Sequence, residues 1–280
     1  MKTYTSIESL KKELKNLKKK NRSIGLVPTM GYLHKGHISL IKRARKDNDI
    51  VVASIYVNPL QFGVNEDYGR YPRDLERDKR MLKENGCDIL FAPSDKEMYK
   101  EQLVSVRIKD LSEKLCGISR PTHFEGVLTV VAKLFNIVTP DRAYFGEKDF
   151  QQYLIIKKMV EDLNFNLKVI ACPIVREKDG LAMSSRNTYL SEDERKRALV
   201  LYRSLKAGKE IIEKSGDIKK AKETIREIIE NEKPDRIDYI EIYDENGLKE
   251  ITNDTKYCRI FLAVFFGKTR LIDNMRAKLK

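Results

Sequence analysis

The stretch PTMGYLHKGH, residues 28–37, joins a strand-like run to a segment with helical periodicity. The run 23–30 is apolar and typical of a buried strand, whereas 37–47 repeats its apolar residues at helical spacing. Gly31 and Gly36 lack side chains, so a ligand can approach the backbone closely. A helix that begins here offers unpaired N–H groups and a partial positive charge, which favour a phosphate. The stretch therefore predicts a strand-to-helix connection that also binds an anion.

Two histidines lie in this turn, His34 and His37, and the whole chain has only three. Their spacing places both imidazoles on one helix face if the turn is already helical. Such a pair is by itself more often a chance or core feature. Its position behind Pro-Thr-Met-Gly, where a strand gives way to a helix, favours a functional role instead. We predict that both rings donate hydrogen bonds to a phosphoryl group as its charge develops.

Strand-like and helix-like segments alternate over the first 175 residues. Further strands are predicted at 50–58, 88–93, 142–145 and 166–175, with an extra strand at 103–108. Further helices are predicted at 73–84, 123–138 and 149–163, and an amphipathic helix at the N-terminus carries Leu10, Leu14 and Leu17 at helical spacing. This order predicts an α/β fold with a mostly parallel sheet and helices on both faces. Ligands of such sheets bind beyond the carboxyl ends of the strands.

The pattern changes after about residue 176. Two helices are predicted within 191–231, divided at Ser215-Gly216, and they are followed by strands at 236–244 and 258–267 that continue through 269–275. Helices followed by strands predict a smaller α+β domain. We therefore expect two domains, 1–175 and 176–280.

Composition excludes several classes of protein. The chain has 280 residues, 41% of them hydrophobic, with 55 Lys and Arg against 42 Asp and Glu, a formal net charge of +13. It is too apolar and too varied for a disordered chain, and no apolar run reaches the roughly 18–20 residues of a membrane-spanning helix. Its start lacks the apolar core of a secretory signal. Four scattered cysteines without metal or redox spacing indicate free thiols in a reducing cytoplasm.

Two uncharged amides follow the strand predicted at 50–58. Asn58 and Gln61, in NPLQFG, can each donate and accept hydrogen bonds. Such groups suit a polar substrate that carries hydroxyls and a carboxylate. Ordinary turn chemistry explains an Asn-Pro sequence equally well.

Two later segments carry candidate phosphate ligands. Lys148, in FGEKDFQQ, is a flexible cation, and the adjacent Asp149 could instead be a helix cap. GLAMSSRN at 180–187 contains two hydroxyls and Arg186, which could wrap a triphosphate, although the same composition is common in loops. No phosphate-binding GxxxxGK[ST], no GxGxxG and no nucleophile pattern occurs in the sequence. The residues alone therefore predict nucleotide-dependent transfer at a phosphate without a covalent enzyme intermediate.

The chain resembles the pantothenate synthetases, the pantoate–beta-alanine ligase family. The resemblance is carried, in this order, by PTMGYLHKGH, NPLQFG, NEDYGRYPRD, RPTHFEGVLTVVAKLFNIVTPDRAYFGEKDFQQ and REKDGLAMSSRNTYLS. It covers about 25–191 and continues more loosely to the end. That family is part of the HxGH nucleotidyltransferase superfamily, which shares ancestry with class I aminoacyl-tRNA synthetases. The resemblance implies a Rossmann-like nucleotide- and pantoate-binding domain at 1–175 and a smaller α+β domain at 176–280 that closes over the active site.

The resemblance implies the last step of pantothenate biosynthesis. Pantoate and beta-alanine would be joined with ATP to give pantothenate, AMP and pyrophosphate through a non-covalently held pantoyl-adenylate. The ATP-binding residues would be Met30, Gly31, Tyr32, Leu33, His34, Lys35, Gly36, His37, Gly146, Glu147, Lys148, Asp149, Val175, Met183, Ser184, Ser185 and Arg186. The catalytic residues among them would be His37, His34, Lys148 and Arg186.

Finer roles follow from the same resemblance. Lys148 would contact phosphate, Asp149 the ribose and Val175 the adenine through its backbone. The pantoate-binding residues would be Gln61, Gln152 and Asn58, with Gln61 also touching beta-alanine and with Tyr71 and Arg120 as lower-ranked candidates. Mg²⁺ would accompany ATP, with protein ligands that the resemblance does not identify. The protein would be a cytoplasmic homodimer without nucleic-acid or membrane partners.

One loop and two alternative functions complete the predictions. The polar loop 63–71 is a candidate lid, because an acyl-adenylate must be kept from water. A nucleotidyltransferase that adenylylates a phosphate ester would fit the HxGH motif at 34–37 and the sheet equally well. The neutral side chains of Gln61 and Gln152 fit a hydroxy acid better than a phosphate ester. A basic RNA-binding protein is the third hypothesis, and the absence of Trp and of aromatic runs with interleaved basic residues disfavours it.

Overall fold

A computed structural model describes residues 1–64 and 66–280 of the chain. The chain forms two compact units. The first comprises Met1–Glu147 and Gln151–Pro173, and the second comprises Lys148–Phe150 and Ile174–Lys280. The GEKD segment at 146–149 is thus divided, with its lysine and aspartate in the second unit.

The first unit is built on a six-stranded parallel sheet, which confirms the predicted fold class. Its strands are β1 (Lys2–Tyr4), β2 (Ile24–Thr29), β3 (Ile50–Ile55), β4 (Ile89–Phe91), β5 (Arg142–Gly146) and β6 (Lys168–Cys172). Its helices are α1 (Ile7–Lys19), α2 (Lys35–Asp47), α3 (Leu75–Glu84), α4 (Asp95–Met98), α5 (Cys116–Ser119), α6 (His123–Val138) and α7 (Phe150–Asp162), the first residue of α7 belonging to the second unit. The strand order is β1-β4-β3-β2-β5-β6, with every pair parallel.

The strand order creates a switch point beside β2. From β2 the chain moves outward through β3 and β4 on one side, and later through β5 and β6 on the other. Both the stretch 28–37 and the segment after Gly146 leave the sheet at the carboxyl ends of these two central neighbours. In open α/β sheets this is where ligands bind. The sheet order therefore makes the turn after β2 the first place to look for a site.

Hydrophobic patterning accounts for the helices and strands around this point. Val27, Val51 and Leu90, on three strands of the sheet, are fully buried, as expected for a sheet covered on both faces. The predicted N-terminal helix is confirmed as α1, which buries Leu10 and Leu14 on one face. The strand predicted at 103–108 is wrong.

The segment 103–108 pairs with no strand because its alternating residues have nothing to cover. Leu103 and Val104 are exposed, and the backbone N–H of Val106 donates to the Thr129 hydroxyl on α6 at 3.0 Å instead of to a neighbouring strand. Alternation of residue types favours a strand only when one face meets a partner.

The second unit packs helices on a three-stranded antiparallel sheet. Its helices are α8 (Glu192–Arg197), α9 (Val200–Ser215) and α10 (Ile218–Glu230), and its strands are β7 (Arg236–Asp244), β8 (Tyr257–Phe266) and β9 (Thr269–Lys278), in the order β7-β8-β9. Its core includes Leu205, Ile225 and Ile260, all fully buried. The predicted α+β character is confirmed.

The helical part of the second unit has one more break than predicted. The division at Ser215-Gly216 is confirmed, because Gly216 has φ +71° and ends α9. The first predicted helix is itself divided into α8 and α9. At the junction the N–H of Leu199 donates to Lys196 O at 3.2 Å, a three-residue spacing that interrupts the regular helical ladder.

Over the part of the chain that the structure describes, no helix is both long enough and apolar enough to cross a lipid bilayer.

Candidate active site

His34 and His37 open α2 and hold each other in place. His34 is the N-cap residue, and its Nδ1 accepts a hydrogen bond from the N–H of Gly36 at 3.1 Å. The Nδ1 of His37 accepts from the N–H of His34 at 3.3 Å, and the ring centroids lie 4.1 Å apart. An Nδ1 that accepts leaves the proton of a neutral imidazole on Nε2. Two Nε2–H donors therefore stand at a helix N-terminus, where a phosphoryl oxygen is favoured.

The turn before His34 is held by a buried carboxylate. Gly31 and Tyr32 have consecutive left-handed φ values, +84° and +48°, and the backbone N–H groups of Tyr32 and Leu33 turn toward one point. The carboxylate of Asp78, on α3, accepts from the N–H of Tyr32 at 2.7 Å and from that of Leu33 at 2.8 Å. Burial raises the pKa of Asp78, while these two backbone donors oppose the shift. Sequence reasoning missed Asp78, which lies among many other charged residues.

The candidate pantoate amides Asn58 and Gln61 lie together after β3. Asn58 caps the 3₁₀ turn Pro59–Gln61, and its Nδ2 donates to Gln61 Oε1 at 3.2 Å. Gln61 Nε2 in turn donates to the sulfur of Met30 at 3.0 Å. The structure thus brings two predicted pantoate ligands next to a predicted ATP ligand. Turn capping, one of the two explanations that the sequence left open for Asn58, is present, and it leaves the side chain able to orient Gln61 as well.

The backbone carbonyl of Gln61 is held by two side chains at or just before the start of α6. His123 Nδ1 donates to Gln61 O at 2.8 Å, because a carbonyl oxygen only accepts, and Arg120 Nη2 donates to the same oxygen at 3.3 Å. Arg120 also forms an ion pair with Glu66, its Nε donating to Oε1 at 2.7 Å. Sequence reasoning ranked Arg120 low and missed His123 in this role.

The candidate lid 63–71 is tied down where it is described. Glu66 is held by Arg120, and Tyr71 is buried with its ring 6.0 Å from that of Phe62. Asn65, which the lid prediction includes, lies outside the described residues. The lid itself stays a prediction.

Other predicted residues of the first unit have separate positions. Lys35 and Gly36 are the first residues of α2, and Gly146 ends β5, followed by Glu147 in a short 3₁₀ turn. Gln152 lies in the first turn of α7 and is partly exposed.

In the second unit, Lys148 is anchored through its backbone. Its carbonyl oxygen accepts from Asn274 Nδ2, on β9, at 3.0 Å. Arg259 Nη1 donates to the Asn274 amide oxygen at 2.7 Å, which fixes the orientation of that amide. The Lys148 ammonium lies 3.4 Å from the carboxylate of Asp149. The sequence offered no sign that β9 supports this lysine.

The serine–arginine loop of the second unit is a braced turn. Met183 N–H donates to Val175 O at 3.0 Å, and Gly180, with φ +98°, reverses the chain between them. Ser184 caps the 3₁₀ turn Ser185–Tyr189, and its hydroxyl oxygen accepts from the N–H of Arg186 at 3.3 Å. The capping explanation for Ser184 is therefore correct, whereas its contact with phosphate stays a prediction.

Among residues 1–64 and 66–280, no three acidic, histidine or cysteine side chains group closely enough to hold a metal ion. The Mg²⁺ that the sequence resemblance implies stays a prediction.

Known proteins match nearly the whole length of the chain. The family described as pantoate-beta-alanine ligase matches residues 2–276. The pantothenate synthetase of Caldicellulosiruptor bescii is 55% identical over 98% of both chains. The crystal structure of pantothenate synthetase from Thermus thermophilus has a TM-score of 0.93 at 47% identity, covering 98% of this chain and 99% of that one. The pantoate-beta-alanine ligase of Francisella tularensis, solved as a complex with beta-gamma ATP and beta-alanine, has a TM-score of 0.83 at 39% identity, with coverages of 98% and 97%.

Proposed function

The chain belongs to the pantoate-beta-alanine ligase family, and from this premise we propose that it joins pantoate to beta-alanine using ATP. AMP and pyrophosphate are the other products. The observation that carries the proposal is the pair of imidazoles of His34 and His37, whose Nδ1 atoms accept backbone N–H groups at the start of α2, in the same unit as the oriented amides of Asn58 and Gln61. The family name supports the two substrates, and the ATP and beta-alanine complex of the Francisella tularensis ligase supports the nucleotide.

The first step activates the acid. A pantoate carboxylate oxygen attacks the α-phosphorus of ATP, the bond from that phosphorus to the pyrophosphate oxygen breaks, and pantoyl-adenylate forms. Negative charge develops on the phosphoryl oxygens in this step. The imidazole N–H groups of His34 and His37 stabilise it as hydrogen-bond donors, and no proton transfer from them is required.

The second step forms the amide. The neutral amine of beta-alanine attacks the acyl carbon, the carbon–oxygen bond to AMP breaks, and the proton lost by the nitrogen is released to solvent with the products. No bond forms between enzyme and substrate at either step, so the work of the protein is to hold the reacting atoms close and to exclude water.

The second unit supplies the remaining groups of the proposal. Lys148 and Arg186 contribute positive charge toward the phosphates, and Ser184 and Ser185 contribute hydrogen bonds. Asp149 binds the ribose, and the backbone of Val175 binds the adenine. The nucleotide substrate is MgATP, and the protein acts as a cytoplasmic homodimer.

The reaction is tested by omitting one substrate at a time. With ATP and pantoate alone, we expect pyrophosphate release limited to about one equivalent of enzyme, because the adenylate stays bound. Adding beta-alanine should start continuous release, with AMP, pyrophosphate and pantothenate in equal amounts. Pyrophosphate release that does not depend on pantoate, or turnover without an amide product, would overturn the proposal.

The phosphate role of Lys148 has its own test. Lys148→Ala should lower the adenylation rate by a factor on the order of 10², as expected when one transition-state donor is removed. The matched control is Lys158→Ala, since Lys158 lies on the exposed face of α7 and pairs with the nearby Asp162. Equal rates in the two variants would contradict the phosphate role of Lys148 and leave that of the histidines standing.

A further inference from the structure

Tyr99, directly after α4, contacts the candidate pantoate site through one hydrogen bond. Its hydroxyl donates to Asn58 Oδ1 at 2.9 Å, across 41 positions of sequence. Asn58 is only 1% exposed, so the acceptor end of this bond is buried, whereas Tyr99 is half-buried. Buried polar groups need partners, and each partner also restricts how the group can rotate. The Tyr99 hydroxyl therefore both satisfies the Asn58 amide and limits its orientation.

The amide of Asn58 has one orientation only. Its oxygen accepts from Tyr99 and from the N–H of Leu60 at 3.4 Å, and its nitrogen donates to Gly126 O at 3.0 Å and to Gln61 Oε1 at 3.2 Å. If the amide were reversed, its nitrogen would face the Leu60 donor and its oxygen would face the Gly126 acceptor. The hydroxyl of Tyr99 makes the shorter of the two bonds to the amide oxygen.

The orientation of the Asn58 amide determines the orientation of the Gln61 amide. Since Asn58 presents a donor, Gln61 turns its oxygen toward it, and the Gln61 nitrogen points to the Met30 sulfur at 3.0 Å. A thioether is a weak acceptor, and an amide nitrogen carries two hydrogens. Gln61 therefore presents donors, a suitable partner for a hydroxyl or carboxylate oxygen of a substrate.

Contacts on the backbone of Gln61 fix its position, so rotation of its side-chain amide is the main motion left to it. His123 and Arg120 hold the Gln61 carbonyl. A Cβ at Gly126 would lie 2.2 Å from Leu60 O, so α6 packs directly on the 3₁₀ turn that carries Gln61. The hydrogen bonds from Tyr99 through Asn58 therefore set the orientation of the Gln61 side chain rather than its position.

We propose that Tyr99 is a positioning residue that acts through Asn58 to present the Gln61 amide nitrogen to pantoate, and thereby contributes to selection of this hydroxy acid. The inference rests on the proposed function, in which Gln61 binds pantoate. Burial, together with the nearby Asp95 carboxylate, raises the pKa of Tyr99, so the phenol keeps its proton at neutral pH. Lys133 lies over the ring, its ammonium 5.4 Å from the centroid, and helps to hold the ring in place.

The test compares two Tyr→Phe changes on neighbouring rings. Tyr99→Phe removes the donor and keeps the ring. Tyr56→Phe is the control, because its ring centroid lies 6.1 Å from that of Tyr99. The buried hydroxyl of Tyr56 makes no hydrogen bond to Asn58 or Gln61. Both variants are assayed for steady-state pyrophosphate release with ATP and beta-alanine, using either pantoate or one of the two analogues that lack the 2-hydroxyl or the 4-hydroxyl group.

For Tyr99→Phe we expect the KM for pantoate to rise by about threefold to tenfold, the range that one lost hydrogen bond produces. The KM for ATP should stay within about twofold, and discrimination against at least one deoxy analogue should fall by about threefold to tenfold, because a less restrained Gln61 amide rejects that analogue less strongly. Tyr56→Phe should match the wild type in all three quantities.

Three results separate the possible failures. If Tyr99→Phe matches Tyr56→Phe, the inference is wrong. If it raises the KM for pantoate and for ATP equally, lowers the unfolding temperature and leaves discrimination unchanged, Tyr99 is merely structural and the inference is again wrong. If the wild type does not release pyrophosphate with pantoate, the proposed function fails and the inference fails with it.

Discussion

Replacing Asp78 with Asn tests how the HxGH turn is held. The change preserves the size of the side chain but replaces one acceptor oxygen with an NH₂ group. In the wild type both carboxylate oxygens accept backbone N–H groups, from Tyr32 at 2.7 Å and from Leu33 at 2.8 Å. In the variant one of these N–H groups must face another donor.

The size of the effect follows from the two bonds. A hydrogen bond to a charged group stabilises by about 1.5–3 kcal/mol, and a buried N–H without an acceptor costs about 1–3 kcal/mol. The variant side chain is neutral, so it does not carry the free-energy cost of burying a charge. That cost is what raises the pKa of Asp78 in the wild type, and its removal offsets part of the lost stability. We expect Asp78→Asn to lower the free energy of unfolding by about 2–3 kcal/mol. Adenylation should fall by a factor on the order of 10², because the turn positions His34.

The assays are urea unfolding and pyrophosphate release with ATP and pantoate. Asp74→Asn is the matched control, since Asp74 is the exposed N-cap of the same helix and Asn caps helices about as well as Asp. The control should lose less than about 0.5 kcal/mol and keep its rate. If both variants unfold within about 0.5 kcal/mol of each other and release pyrophosphate equally fast, the Asp78 carboxylate does not hold the turn.

Four further predictions address the rest of the molecule. His37→Ala should cut adenylation by a factor on the order of 10², measured as pyrophosphate release, and a near-normal rate would contradict its role. Asn274→Ala, which frees the Lys148 carbonyl, should raise the KM for ATP several-fold and leave that for pantoate unchanged. Burial raises the pKa of Cys87 and Cys172 to about 11, so iodoacetamide at pH 8 should alkylate them only after unfolding. These thiols ionise at lower pH in the unfolded chain than in the folded protein. They should therefore lower the free energy of unfolding as the pH rises from about 9 to 11. Shortening the loop 63–71 should increase ATP hydrolysis without amide product, and unchanged coupling would argue against a lid.

The main elements of the fold were predictable because their hydrophobic patterns are local. The buried runs that became β2 and β3, and the helix α6, follow from apolar composition and helical period within each segment. The family resemblance was equally readable from the five quoted segments, and the match over residues 2–276 confirms it. The segment 103–108 was mispredicted because its local alternation contains no information about whether a neighbouring strand exists.

The predicted site residues and their supports differ in kind. The sequence revealed some site residues because their chemistry is uncommon and each occurs at the end of a strand or in a short loop. They are the HxGH motif at 34–37, the amides Asn58 and Gln61, and Lys148. The supporting groups Asp78, Tyr99 and Asn274 looked like ordinary residues of charged or mixed segments.

The amino-acid sequence by itself determined the α/β pattern, the family and the residue types offered to a phosphate and to a hydroxy acid. Only the tertiary structure decided which of those residues are oriented, and by what. Asp78 meets the turn at Leu33 across 45 positions, and Tyr99 meets Asn58 across 41. Hydrogen bonds act over about 3 Å and depend on angle, so partners that are far apart in sequence become recognisable only after the sheet and helices have packed.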